Sequence, residues 1–136
     1  LLHSVNAAAS SCEMAILARE LGRGHRVYNL NLPGFGASAR PDVRYDVPRF
    51  VAAIETVAAG IRQREAAEQP LDVVALSLTC EFVARSAVRQ PASYRRLCFI
   101  TPTGFQSGSD LLRREEGTTL ERRWLTSFVE SSAGSL

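Results

Sequence analysis

Ser77 has a small residue two positions away on each side, in the segment Ala75-Leu76-Ser77-Leu78-Thr79. A short apolar block precedes this segment, and a block with helical spacing follows it. A serine on such a sharp strand-to-helix turn holds its hydroxyl at the carboxyl edge of a parallel sheet, where helix N–H groups also point. This loosened form of Gly-x-Ser-x-Gly predicts a nucleophilic serine. The alternative interpretation is that Ser77 only caps the helix.

A second candidate site is the segment His3-Ser4-Val5-Asn6, which follows the apolar residues Leu1 and Leu2. A loop at the end of a strand can present a backbone N–H group to an oxyanion. His3 and Asn6 could hold this loop in place through hydrogen bonds. We therefore expect His3 to have an architectural role and not a catalytic one.

A third segment, residues 32–41, contains Gly34, Gly36 and Ala39 in the spacing Gly-x-Gly-x-x-Ala. This spacing is typical of dinucleotide-binding loops, so a small nucleotide-binding α/β domain is one alternative. Pro41 and the polar residues after it leave no helix starting at the second glycine, and such a helix is needed to face a pyrophosphate. The expected acid about 20 positions further on is also lacking, because Glu55 falls inside a predicted helix. Both features argue against a nucleotide site.

Apolar blocks alternate with blocks of helical periodicity along the chain, which predicts an α/β fold with a parallel sheet flanked by helices. The predicted strands are residues 1–3, 26–32, 71–76 and 96–101, and we expect the last two to be buried. The predicted helices run from the cap Ser10 to Gly22, from the cap Asp46 to Ile61, and from Leu78 to Arg89. Ser10 and Glu13 have the spacing of a capping box.

The composition excludes several classes of protein. The 136 residues are 46% hydrophobic and 22% charged, as expected for one soluble globular domain. No apolar run approaches the roughly 18 residues of a membrane span. All 16 basic residues are arginine and are interspersed with acids, so the sequence predicts no nucleic-acid partner.

The three cysteines, Cys12, Cys80 and Cys98, are widely spaced, with no Cys-x-x-Cys pair. This pattern predicts neither a disulfide framework nor a metal site. We expect all three to be small buried residues of a protein in a reducing, cytoplasmic compartment. No cofactor is expected, the expected partner is a small-molecule substrate, and the oligomeric state stays open.

Taken in order, the three segments resemble the amino-terminal half of an α/β-hydrolase, over residues 1 to about 105. LLHSVN resembles the strand and His-Gly oxyanion loop of that family, with Ser4 in place of the usual glycine. LNLPGFGASARP resembles the loop after the next strand, with Asn31 or its neighbour replacing the usual acid. VVALSLTCEF resembles the nucleophile elbow and its helix, with Thr79 bulkier than the usual glycine and expected to crowd the elbow.

The resemblance implies an esterase-like or lipase-like serine hydrolase in which Ser77 attacks the carbonyl carbon of an ester or another small acyl compound. It places the oxyanion between the backbone N–H of Leu78 and that of Val5 or Asn6, with His3 supporting the oxyanion loop. A non-catalytic binding protein of the same fold remains an alternative. The resemblance also places strand 1–3 between strands 26–32 and 71–76.

The family's catalytic acid and histidine follow the nucleophile along the chain, whereas His3 and His25 both precede Ser77. We therefore expect a partial α/β-hydrolase fold, truncated at both ends and inactive as this fragment. Residues 1–108 would form the partial core, and residues 109–136 would begin a lid or cap.

Overall fold

The computed structural model describes residues 1–65 and 69–104. In chain order its elements are a 3₁₀-helix at Ser11–Met14, α1 at Ala15–Leu21, α2 at Val47–Arg64, β1 at Leu71–Leu76, α3 at Thr79–Arg89, a 3₁₀-helix at Pro91–Ser93 and β2 at Tyr94–Ile100. The predicted lid segment, residues 109–136, lies outside the described residues.

Strands β1 and β2 pair in parallel, with Val73 opposite Leu97 and Leu76 opposite Ile100. Helix α3 connects them, as a parallel pair requires a crossover connection. Both strands lie where the apolar blocks predict them, although β2 begins two residues earlier than its predicted start. The α/β class and the parallel sheet are therefore confirmed.

Leu2 forms parallel bridges to Leu30 on one side and to Ala75 on the other. The predicted strand order is therefore confirmed, with the first segment between the other two. The predicted strands 1–3 and 26–32 are wrong in extent, because each contributes only one bridging residue. His3, directly after Leu2, already lies in a loop.

The expectation that both strands of the pair are buried is wrong. Only Ala75 of β1 is fully buried, and Arg95 to Cys98 of β2 are exposed. Among the described residues β2 pairs with no strand other than β1, so its outer edge stays uncovered there.

The cysteine expectation is also corrected, because Cys12 and Cys98 are exposed and only Cys80 is buried. Cys98 lies on the uncovered part of β2, and Cys12 lies in the first turn of the 3₁₀-helix. The Cys80 thiol donates a hydrogen bond to the carbonyl oxygen of Ala75 at 3.2 Å, and burial raises its pKa. Cys80 is thus the one cysteine that fits the predicted role of a small buried residue.

Helix α2 begins as predicted, because the Asp46 carboxylate accepts a hydrogen bond from the N–H of Arg49 at 3.1 Å. Its apolar residues recur at helical spacing, and the buried ones are Val47, Phe50, Val51, Ile54 and Ala58. The Phe50 ring stacks on Phe82 of α3, with centroids 5.0 Å apart. This face of α2 joins α3 in the hydrophobic core beneath the sheet edge.

Helix α1 is entered through the 3₁₀-helix, and Gly22 follows its last residue as predicted. The hydroxyl of Ser10 accepts a hydrogen bond from the N–H of Cys12 at 3.3 Å. Ser10 caps the helix, but the capping-box prediction is wrong, because the Ser10 hydroxyl does not accept from the N–H of Glu13 and the carboxylate of Glu13 bonds Ser4 instead of Ser10. None of the described helices is both long enough and apolar enough to cross a membrane.

Candidate functional site

Ser77 occupies the turn between β1 and α3 with a left-handed backbone, φ 58°. Its N–H donates to the carbonyl of Ile100 at 2.9 Å, and its own carbonyl accepts from the N–H of Cys80 at 3.0 Å. A non-glycine residue in this region carries roughly 1–3 kcal/mol of backbone strain. Leu78, which directly precedes the first residue of α3, has a helical φ of −61° and makes no side-chain capping bond, so the interpretation of Ser77 as only a helix cap stays an alternative.

The hydroxyl of Ser77 lies 3.3 Å from the hydroxyl of Thr103. Thr103 follows β2, in a stretch where Thr101 also has a positive φ, 45°. No sequence motif had pointed to Thr103. Thr103 could have been predicted, because it follows the strand next to the one that precedes Ser77. The carboxyl ends of neighbouring parallel strands meet at one edge of a sheet, where ligands bind in α/β folds.

His3 is fully buried and makes hydrogen bonds through both ring nitrogens. Its Nε2 accepts from the N–H of Leu32 at 3.0 Å, so the ring proton is assigned to Nδ1, which donates to the carbonyl of Ser4 at 2.5 Å. Burial lowers the pKa of His3, against smaller opposing effects of the Ser4 carbonyl and of Glu13. A neutral ring with both nitrogens bonded fits the predicted architectural role.

Thr79 connects this loop to the turn that holds Ser77. Its buried hydroxyl donates to the carbonyl oxygen of His3 at 2.6 Å. The sequence predicts that Thr79, being bulkier than glycine, crowds the turn. The Thr79 hydroxyl instead bonds the loop that begins at His3. The side chain that replaces the usual glycine therefore links this loop to the turn at Ser77.

The segment Ser4 to Asn6 is held by the carboxylate of Glu13, which accepts from the N–H of Ser4 at 2.8 Å. The Asn6 amide accepts from the N–H of Ala8 at 2.9 Å. Within residues 1–65 and 69–104, no acceptor is bonded to the N–H groups of Val5, Asn6 or Leu78. The predicted oxyanion donors, Leu78 and either Val5 or Asn6, lie on two segments that the Thr79–His3 bond joins.

The glycine-rich segment turns beside this loop. Gly34 and Gly36 have φ of 84° and 50°, and a side chain at Gly36 would begin 2.3 Å from the Asn31 amide oxygen. That oxygen accepts from the N–H of Ser11 at 2.7 Å. The next helix along the chain starts only at Val47, so the described loop does not lead directly into a helix as a dinucleotide-binding loop does.

His25 is exposed. The hydrogen bond from Arg95 is the main cause of the lowered pKa of Asp72, the second residue of β1, and nearby His25 also contributes to it. Ser77 follows the opposite end of β1, about 17 Å away at the usual rise of about 3.3 Å per residue. A groove of about 920 Å³ opens at the His25 end, and its lining does not include Ser77. The structure therefore does not bring His25 to the candidate site.

Among the described residues, no group of three or more His, Cys, Asp or Glu side chains could hold a metal ion. The sequence was also compared with known proteins. The model of a family described as the alpha/beta hydrolase family matches residues 1–134. A search of curated proteins found no match.

Proposed function

Since the chain belongs to the alpha/beta hydrolase family, we propose that it acts as a hydrolase with Ser77 as the nucleophile toward an ester or another small acyl compound. The observation that carries the proposal is the left-handed backbone of Ser77 between β1 and α3. Strained residues of this kind cluster at functional sites, where the surrounding structure holds them.

In the proposed reaction the Ser77 oxygen attacks the carbonyl carbon, and its proton passes to a base. The carbonyl oxygen becomes an oxyanion, which the N–H of Leu78 and that of Val5 or Asn6 would bind. Each such donor is worth roughly 3 kcal/mol in the transition state. The tetrahedral intermediate then releases the alcohol, which takes up the proton, and water hydrolyses the acyl-enzyme.

The base in this reaction is a group other than the two histidines. His3 has its unprotonated nitrogen bonded to the N–H of Leu32, and its other nitrogen carries a proton. His25 lies beside the start of β1, whereas Ser77 follows the end of that strand. Neither imidazole is therefore placed to accept the proton of the Ser77 hydroxyl.

The test is covalent labelling of the longest natural polypeptide that contains these residues, with a fluorophosphonate probe and peptide mass spectrometry. We expect an adduct on Ser77 that disappears in Ser77→Ala and persists in Ser93→Ala, which changes a serine after α3. Hydrolysis of p-nitrophenyl acetate should follow the same pattern. A folded protein that forms no adduct would overturn the proposal and would favour the non-catalytic binding protein.

A further inference from the structure

We propose that Glu13 is a positioning residue that orders the oxyanion-binding segment Ser4–Asn6, an inference that rests on the proposed function of Ser77. One carboxylate oxygen accepts from the N–H of Ser4 at 2.8 Å. The other accepts from the Ser4 hydroxyl at 2.9 Å and from the Asn6 side-chain amide at 3.1 Å. The three groups that donate to Glu13 all belong to the segment Ser4–Asn6. The same segment carries Val5 and Asn6, the two candidates for the second oxyanion donor.

These bonds constrain the segment on both sides of Val5. The Asn6 amide also donates to the Ser4 hydroxyl at 2.5 Å, so the two side chains and the carboxylate form a closed network. The network uses the backbone N–H of Ser4, whereas those of Val5 and Asn6 have no bonded acceptor among the described residues. Oxyanion donors are effective when their positions are fixed before the reaction, because no reorganisation is then required.

Glu13 is itself held in place by the chain around it. Met14, the next residue, is buried in the protein. Ser11, two residues earlier, accepts from the Asn29 amide at 2.8 Å and donates its N–H to Asn31 at 2.7 Å. The carboxylate therefore projects from a short helix that is fixed to the segment beside it.

Hydrogen bonds to an ionised acceptor are stronger than those between neutral groups. Burial tends to raise the pKa of Glu13, but the bonds from Ser4 and Asn6 outweigh it and hold that pKa below its usual value. His3 is the other titratable group that acts on this carboxyl, and it also lowers the pKa. Glu13 is thus ionised at neutral pH and can accept all three bonds.

A negative charge close to a developing oxyanion is electrostatically unfavourable, so any benefit from Glu13 must come from geometry. Two variants of Glu13 distinguish the effect of geometry from the effect of charge. Glu13→Ala removes every acceptor and frees the segment. Glu13→Gln removes the charge and the acceptor of the Asn6 amide, but it keeps an oxygen for the N–H of Ser4, and its own amide can donate to the Ser4 hydroxyl, which also accepts.

The experiment measures kcat and KM for p-nitrophenyl acetate and the rate of fluorophosphonate labelling in the longest natural polypeptide. We expect Glu13→Ala to lower kcat and the labelling rate about tenfold, less than complete loss of an oxyanion donor, with KM changed less than about twofold. Glu13→Gln should stay within about threefold of the wild type. Glu20→Ala is the matched control, since Glu20 lies on α1 and pairs with Arg19 and Arg23.

A folded Glu13→Ala variant with wild-type kcat would overturn this role of Glu13 and leave the proposed function intact. An unreactive wild-type protein would overturn the proposed function and the role of Glu13 together. If Glu13→Ala does not fold, Ser4→Ala and Asn6→Ala each remove part of the network. A kcat unchanged in both of them would overturn the proposal, and a fall in kcat at constant KM would support it.

Discussion

The hydroxyl of Thr79 donates a hydrogen bond to the carbonyl oxygen of His3 at 2.6 Å, across 76 positions of sequence. Both residues are completely buried. One of them follows the strand-to-helix turn at Ser77, and the other begins the loop that carries Val5 and Asn6. This buried bond joins the two halves of the candidate site, next to the backbone bonds that Leu2 makes with Val74 and Leu76.

Replacement of Thr79 by valine tests this bond, because valine has nearly the same shape and lacks the hydroxyl. We expect Thr79→Val to lower the free energy of unfolding by about 1–3 kcal/mol, since the buried His3 carbonyl loses its donor. Urea denaturation gives the measurement. Thr79→Ser keeps the hydroxyl, and with it the bond to His3, and therefore serves as the control. A Thr79→Val protein as stable as the wild type would show that the bond contributes nothing to stability.

The backbone of Ser77 predicts a second stability effect. Glycine adopts φ near 58° without strain, whereas alanine does not. We therefore expect Ser77→Gly to have a free energy of unfolding about 1 kcal/mol higher than Ser77→Ala. Both variants lack the hydroxyl, so neither should be labelled by the fluorophosphonate probe. Equal stabilities of the two variants, measured by urea denaturation, would contradict the strain at this position.

The lowered pKa of His3 predicts a loss of stability in mild acid. Below about pH 6.5 the unfolded chain binds a proton at this residue that the folded protein binds only at lower pH. The free energy of unfolding should therefore fall as the pH decreases from 6.5 to 5, with a slope of up to about 1.4 kcal/mol per pH unit. Denaturation curves at several pH values would measure it.

His3→Gln provides the check on this pH dependence. The variant should be less stable at neutral pH but should lose most of the slope between pH 6.5 and 5. His25→Gln changes an exposed histidine and should keep the slope. An unaltered slope in His3→Gln would assign the pH dependence to other groups.

Two glycines should respond to alanine in opposite directions. Gly36 has a positive φ and an Asn31 oxygen 2.3 Å from the position of an added Cβ, so Gly36→Ala should cost about 1–3 kcal/mol of stability. Gly60 lies inside α2 with nothing within 4 Å of that position, so Gly60→Ala should add about 0.5–1 kcal/mol. Thermal unfolding of the pair would check both signs. A destabilised Gly60→Ala or a neutral Gly36→Ala would contradict the geometry.

Local sequence patterns were sufficient to predict most of the elements. Asp46 begins α2 and Gly22 follows α1 as expected, because caps and helix ends depend on neighbouring residues. The apolar blocks locate β1 and β2, and the small residues around Ser77 locate the turn between β1 and α3. The family resemblance supplied the order in which Leu2 lies between Leu30 and Ala75.

The extent and burial of the strands could not be predicted in this way. Among the described residues Leu2 and Leu30 form only isolated bridges, because pairing depends on how neighbouring segments align in space and not on their own composition. Arg95 to Cys98 stay exposed because burial depends on which elements cover a strand, and not on its own composition. The same reason explains why Cys12 and Cys98 are exposed.

The amino-acid pattern was enough to predict the class of fold and the position of Ser77 on a turn, and it predicts an architectural role for His3. The contacts that hold the candidate site together are visible only in the folded chain. Glu13 bonds Ser4 instead of completing its own capping box, Thr79 bonds His3, and Thr103 lies beside Ser77. Each of these contacts joins segments that are separate along the chain, and their distance in space depends on how the whole sheet edge is assembled.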